Sequence, residues 1–327
     1  LKSKIKSLEI TPGELGLTPC AASVVITDPN TGKVKAMVSY PSYDNNKFAN
    51  SVDSEYFAKI NSNSASPFLN RATQQKTAPG STYKMVSATA ALEEGVIDPH
   101  STVTDRVVFD KINPSPKCWS TYSHGTINVS QAIQHSCNYF FYEVGYRLSL
   151  KDNGINSISQ DNNQGDATNA YYSSELGLQK LSKYAQMFGL GTTSGMEIPE
   201  ADPQISDDSS VPSAIGQGTN NYTTSQLARY VTTIANKGTL FDLTLLNKTT
   251  DVKGNVIEES QPKIDNTLSD ISASTWDAVH EGMRNVVLVS HSSTFSDINR
   301  SGFQLSGKTG TAQQSKTHPD HALFIGF

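Results

Sequence analysis

Three short clusters carry side chains able to move an acyl group. The first is Ser81-Thr82-Tyr83-Lys84, set after the breaker pair Pro79-Gly80 and leading a run of small residues that stops at Gly95. A serine and a lysine three positions apart on a helix share one face. The amine can take the hydroxyl proton once burial or a second cation lowers its pKa, and the helix dipole favours the resulting alkoxide. A helix cap followed by a surface lysine satisfies the same pattern. The second cluster, Ser136-Cys137-Asn138, lies between two apolar-periodic stretches. Its hydroxyl can relay a proton, and its carboxamide can hold Lys84 or a substrate amide; an ordinary N-cap is the plainer reading. The third is Lys308-Thr309-Gly310-Thr311. Gly310 lets a substrate backbone lie against a strand, and Lys308 with the hydroxyls of Thr309 and Thr311 suits a carboxylate. The N–H groups of Thr311 and Ser81 can form an oxyanion hole. A polar edge strand is the alternative.

Elements that would position these clusters are legible along the chain. Residues 21–27 and 33–40 are valine-rich runs around Asp28-Pro29-Asn30-Thr31-Gly32, which predicts a hairpin. Residues 41–77 read as loop. The helix opened by Ser81 turns Met85, Ala88 and Leu92 to one side. Helical spacing recurs over 129–134 and 139–148, then through Leu178, Leu181, Ala185 and Phe188 up to Gly189, and through Leu227, Tyr230, Val231 and Ile234. A further helix is predicted from Ser274, with Asp277 as its capping-box partner. Residues 151–174, dense in Asn, Gln, Ser and Gly, read as a mobile insertion. Residues 252–257 predict a small surface hairpin, and residues 303–313 and 322–327 two adjacent strands. Strands from both ends are expected to share one mostly antiparallel sheet flanked by helices, with an all-helical part at roughly 90–200 inserted between them. The fold class is α+β.

Composition narrows the partners. A chain of 327 residues can bury a substantial core, and a net charge of −5 without a Lys/Arg cluster argues against a nucleic-acid surface. No apolar run reaches the roughly 18 residues needed to span a bilayer, and residues 2–7 lead into no secretory h-region. The three cysteines, Cys20, Cys118 and Cys137, are too few for a disulfide scaffold.

The order Ser-x-x-Lys, Ser-x-Asn, Lys-Thr-Gly is that of penicillin-binding proteins and serine β-lactamases. The resemblance extends beyond it. Thr31-Gly32-Lys33-Val34-Lys35-Ala36-Met37-Val38-Ser39-Tyr40-Pro41-Ser42-Tyr43-Asp44, Asn70-Arg71-Ala72, Ile215-Gly216-Gln217-Gly218, Ala235-Asn236-Lys237-Gly238 and the Lys308–Gln313 stretch resemble monofunctional, class B penicillin-binding proteins, in particular the elongation type (penicillin-binding protein 2-like). The resemblance implies a peptidoglycan D,D-transpeptidase, an enzyme of cell-wall synthesis. Ser81 would attack the penultimate D-Ala carbonyl of a stem peptide, D-Ala would leave, and a neighbouring stem amine would take the acyl group. Lys84, Ser136, Asn138 and Lys308 would complete the catalytic set, with Thr309, Gly310 and Thr311 binding substrate. β-Lactams would acylate the same serine. A polytopic membrane glycosyltransferase is the implied partner, and the catalytic domain would be extracytoplasmic on a membrane-anchored protein. Members continue past Lys-Thr-Gly with a further strand and a C-terminal helix. The expectation is therefore a linker remnant over 1–18 and a transpeptidase domain over 19–327 with that strand and helix missing.

Two other readings share the triplet. A serine β-lactamase needs a water-activating base, and between Asn138 and Lys308 no Glu-x-x-x-Asn loop appears; Glu197 and Glu200 read as loop carboxylates. A β-lactam sensor domain resembles a different lactamase class, with an apolar residue where Asn138 stands.

Asp105, Cys118, His124 and Cys137 offer one carboxylate, two thiolates and an imidazole, a set that completes a tetrahedral zinc shell. Some elongation-type members resemble this, and there the zinc staples the Ser-x-Asn loop to the segment before it. Asp110 competes for the carboxylate position. A Cys118–Cys137 disulfide and plain free thiols are the alternatives.

Overall fold

The computed structural model describes residues 3, 4, 7, 9, 21–151, 171–312 and 320–327. Most of the 1–18 linker, Cys20, nearly all of the 151–174 insertion and Gln313 lie outside them.

Strands β1 (Ala22–Thr27) and β2 (Val34–Tyr40) pair antiparallel, with Val24 opposite Val38. Their turn forms because Asp28 N donates to Lys33 O and the Asp28 carboxylate accepts from Asn30 N. Alternation, with a bulge where Ile26 pairs Ala36 but Thr27 pairs Val34, then sorts the faces: Val25, Val34 and Met37 pack against Met196, Ala228 and Leu243, while Val24, Ile26 and Val38 stay exposed.

Residues 41–77, expected as loop, hold helices α1 (Ser54–Asn61) and α2 (Arg71–Gln74). Asp53 caps α1 by accepting from Tyr56 N, but only Ile60 of the helix is buried, so no apolar period marks it. A 3₁₀ turn, Gly80–Tyr83, leads into α3 (Lys84–Glu93), buried from Lys84 to Ala91. Its small side chains let other helices close on every side. Those are α5 (Asn138–Leu148), α6 (Ser174–Met187) and α9 (Ala273–Asn285), with α4 (Val129–His135) and α7 (Ser210–Ser213) completing this part. Strands β3 (Val103–Thr104) and β4 (Thr126–Ile127) tie the 103–127 loop together. Helix α8 (Thr224–Ala235), opened by a Thr223–Gln226 capping box, runs behind β1.

Strand β5 (Thr239–Phe241) pairs with β8 (Ile264–Thr267). The expected surface hairpin is β6 (Lys248–Thr250) with β7 (Val256–Glu259), turned on the Asp251 carboxylate, which accepts from Lys253 N and Asn255 N. Helix α9 starts earlier than expected. Its cap is Ser272, which accepts from Thr275 N and donates to Glu93 at the end of α3, while Asp277 pairs with Lys237. Helix α10 (Ser296–Arg300) precedes β9 (Gly307–Ala312), which pairs antiparallel with β10 (His321–Gly326). Among the described residues the strands from the two chain ends form two ladders rather than one sheet. Both rest on α8, and a cleft of about 480 Å³ separates β1 from β10. No helix of the described residues is long and apolar enough to cross a membrane.

Candidate active site

Ser81 stands in the 3₁₀ turn, directly before α3. Gly80 has φ +51, and a Cβ there would meet Thr311 O at 2.3 Å, so only glycine lets β9 pass this close to the turn. A Cβ on Gly310 would meet Thr82 Cγ2 at 2.8 Å and Pro79 O at 2.9 Å. The missing side chain of Gly310 thus makes room for the nucleophile turn, a role the sequence reading did not assign to it.

Among the described residues no strand pairs with the other edge of β9, which faces the site. Ser306 and Phe327 exchange both backbone hydrogen bonds, so in an antiparallel ladder 308, 310 and 312 bond β10 while 309 and 311 point their N–H and C=O groups away from it. The Thr311 peptide is thereby turned towards Gly80 and Ser81. Thr311 is exposed and Thr309 half-buried, its Oγ1 lying 3.5 Å from His291 Nε2.

Helix α4 ends on Ser136 in the left-handed region (φ 54), and Cys137 caps α5 by accepting from Phe140 N at 3.5 Å. The Ser-x-Asn turn is therefore a cap, as the plainer reading held, but its cap residue is the cysteine. This frees the Ser136 and Asn138 side chains. Ser136 Oγ donates to Ser81 Oγ at 2.9 Å and accepts from Lys308 Nζ at 2.9 Å and from Lys84 Nζ at 3.3 Å. Lys84 Nζ also donates to Ser136 O (2.8 Å) and Asn138 Oδ1 (2.7 Å), and sits over the Phe141 ring. The lysines thus reach Ser81 through the Ser136 hydroxyl.

Both amines are buried, Lys84 completely and Lys308 to 1% exposure. Burial, the largest cause, pulls Lys84 down to about 7, with Cys137 and Cys118 pulling the other way. Burial, then the Lys84 charge, holds Lys308 well below the ordinary lysine range. A neutral amine beside the serine is what proton abstraction needs.

Asp105, Cys118, His124 and Cys137 bring one ligand atom each to within 4.8 Å of one another. His124 Nδ1 is 2.6 Å from Asp105 Oδ2, Cys137 Sγ 3.6 Å from the same oxygen, and Cys118 Sγ 3.9 Å from His124 Nδ1. Neither thiol is in a disulfide, and Asp110 is exposed and outside the group. The hydrogen bond from Cys137 pulls Cys118 down to about 5, and Cys137 is pushed up in return.

The penicillin-binding protein transpeptidase domain family matches residues 22–327. The chain belongs to that family. The transpeptidase domain is similar to the peptidoglycan D,D-transpeptidase MrdA of Haemophilus influenzae, 29% identical over 319 residues that cover 91% of this chain and 44% of that protein. It spans less than half the length of that relative. Its fold is similar to penicillin-binding protein A from M. tuberculosis, solved as an imipenem acyl-enzyme complex (TM-score 0.76, 25% identity, 94% of this chain, 66% of that one). It is also similar to a chain of a peptidoglycan synthase complex described as coordinating polymerization and crosslinking (TM-score 0.75, 27% identity, 93% of this chain, 48% of that one).

Two side chains in the transpeptidase domain's site went unnoticed in the sequence. Trp119 Nε1 donates to Ser136 O at 3.0 Å, and His291 approaches Thr309. Trp119 could have been flagged by its place next to Cys118; nothing local marks His291. Glu200 accepts from Ser194 N and Oγ, and Glu197 from Leu245 N and Thr244, so both carboxylates brace loops.

Proposed function

We propose that this chain is the catalytic part of a peptidoglycan D,D-transpeptidase that works through a serine acyl-enzyme and is acylated by β-lactams. What carries the reading is one hydroxyl, Ser136 Oγ, within hydrogen-bond reach of Ser81 Oγ and both lysine amines. Ser81 attacks the penultimate D-Ala carbonyl as its proton passes to neutral Lys84, directly once substrate tightens the site or through Ser136. The N–H groups of Ser81 and Thr311 take the oxyanion. Ser136 returns the proton to the departing D-Ala amine, and the acceptor amine then attacks the ester by the reverse path. Lys308, Thr309 and Thr311 hold the terminal carboxylate. Asn138 keeps Lys84 aimed. Gly310 serves by letting β9 approach the nucleophile turn.

We also propose a structural Zn²⁺ held by Asp105, Cys118, His124 and Cys137. A tetrahedral zinc with thiolate, imidazole and carboxylate ligands puts neighbouring donors about 3.3–3.8 Å apart; the two sulfur separations of 3.6 and 3.9 Å lie near that range, and His124 Nδ1 and Asp105 Oδ2, hydrogen-bonded at 2.6 Å, would move apart to admit the ion. The metal would supply no acyl chemistry. Its ligands would anchor the Ser136–Asn138 turn through Cys137. On this reading residues 19–327 form the domain, with a helical part near 90–200 inserted. The full-length protein is anchored in the cell membrane with this domain outside the cytoplasm, beside a polytopic membrane glycosyltransferase. The similarity to a chain of a peptidoglycan synthase complex supports such a partner.

The test is exchange. Given a donor peptide ending in D-Ala-D-Ala and a labelled D-amino acid, the chain should release D-Ala and incorporate label, and Ser81→Ala should do neither. Rapid turnover of a penicillin with free enzyme regenerated would instead assign a β-lactamase.

A further inference from the structure

The Ser136 carbonyl oxygen is a second meeting point in the site. It accepts from Lys84 Nζ at 2.8 Å and from the Trp119 indole Nε1–H at 3.0 Å. Trp119 is 64% exposed, so packing does not explain where its ring sits; the N–H bond and a tilted contact with the His124 ring, 5.6 Å between centroids, do. Ser136 needs such support, because its left-handed backbone is disfavoured for any residue with a side chain. Lys84 alone is a poor support. Acyl transfer passes a proton on and off its amine, and a neutral amine is a weaker donor than an ammonium. An indole N–H does not change during the reaction.

We propose that Trp119 is a positioning residue for acyl transfer: its indole N–H fixes the Ser136 carbonyl through the whole cycle and so keeps the Ser136 hydroxyl between Ser81 and the two lysines. The proposal rests on the acyl-transfer reading above. It also gives the 118–124 segment a route to the nucleophile other than Cys137, since Trp119 follows Cys118 in the chain and touches His124.

Trp119→Phe keeps an aromatic ring at this position and removes the pyrrole half of the indole together with its N–H. The first-order acylation step with a penicillin should slow about tenfold, the usual effect of losing one such hydrogen bond. The dissociation constant for the penicillin should stay within about twofold, because this carbonyl faces Lys84, and the melting temperature should fall by no more than about 2 °C, the ordinary effect of one lost hydrogen bond in a chain of this size. Independently, in protein labelled on tryptophan, the Trp119 indole proton should exchange slowly with water despite its exposed ring, whereas Trp276 provides the buried reference. Wild-type acylation by Trp119→Phe would overturn the proposal. So would a Trp119 proton that exchanges as freely as in an open indole, or a rate loss accompanied by a fall in melting temperature of more than about 5 °C, which would mark general unfolding. If the unmodified chain is not acylated at all, the proposed function fails, and the exchange measurement still decides the contact.

Discussion

Two lysines buried around one hydroxyl cannot both keep their charge, and at the residue scale this sets the pH behaviour. With Lys84 drawn down to about 7 and Lys308 also depressed, the acylation rate should climb as pH rises through about 7. A stopped-flow profile that is flat from pH 6 to about 8 would contradict it. Stability follows the same proton. Unfolded, Lys84 holds its proton to about 10.4; folded, it releases it near 7, so the unfolded chain binds more protons in between. Stability therefore rises with pH across that window and is lost as pH falls back through 7. Buried Tyr83, Tyr222 and Tyr230 are shifted upward, so above about pH 10 the unfolded chain sheds protons the fold keeps, and stability falls again. Urea midpoints should peak near pH 10; a steady decline from pH 7 would refute the assignment. Lys84→Ala should abolish acylation while leaving the fold, as judged by circular dichroism. Residue types and order named this cluster, because nucleophile, relay and amines come from a narrow menu. That the hydroxyl of Ser136 bridges Ser81 to the lysines depends on where Cys137 caps a helix, and no motif encodes that.

The elements meet at glycine. Strand β9 passes the 3₁₀ turn at Gly80 and Gly310 without room for a methyl group on either. Gly310→Ala should force the two apart, at about 1–3 kcal/mol of stability and on the order of 10² in acylation rate, since the Thr311 N–H would leave the oxyanion position. Gly254→Ala is the control. Gly254, unlike Gly310, has a positive φ, and it has no atom within 4 Å of a new Cβ, so stability should fall modestly and acylation should hold. Equal rate losses in both variants would show that general destabilisation, not strand position, governs the site. The hairpin β1–β2 and helix α8 were legible because each buries one face with a clear period. Helix α1 was not, as it buries Ile60 alone, and only the Asp53 cap announced it. The start of α9 was misplaced because two serines compete for the cap. Ser272 takes it through its bond to Glu93, a contact 179 residues distant in sequence.

Across the molecule, the catalytic turn and the Asp105, Cys118, His124, Cys137 group are neighbours along one stretch of chain, so a ligand that orders one orders the other. Elemental analysis should find about one equivalent of zinc per chain, and its removal by chelator should lower the melting temperature. A metal-free chain about two mass units below the reduced value would assign a disulfide instead. Bringing Ser81, Ser136 and Lys308 together takes the whole packing of α3, α5, α9 and β9, which the sequence implied only through the family it resembles. Intact-mass spectrometry after incubation with a penicillin tests the central claim most directly. A single adduct of the penicillin's mass, mapped to Ser81 and absent from Ser81→Ala, is the predicted result. No adduct, or an adduct on another residue, would contradict it.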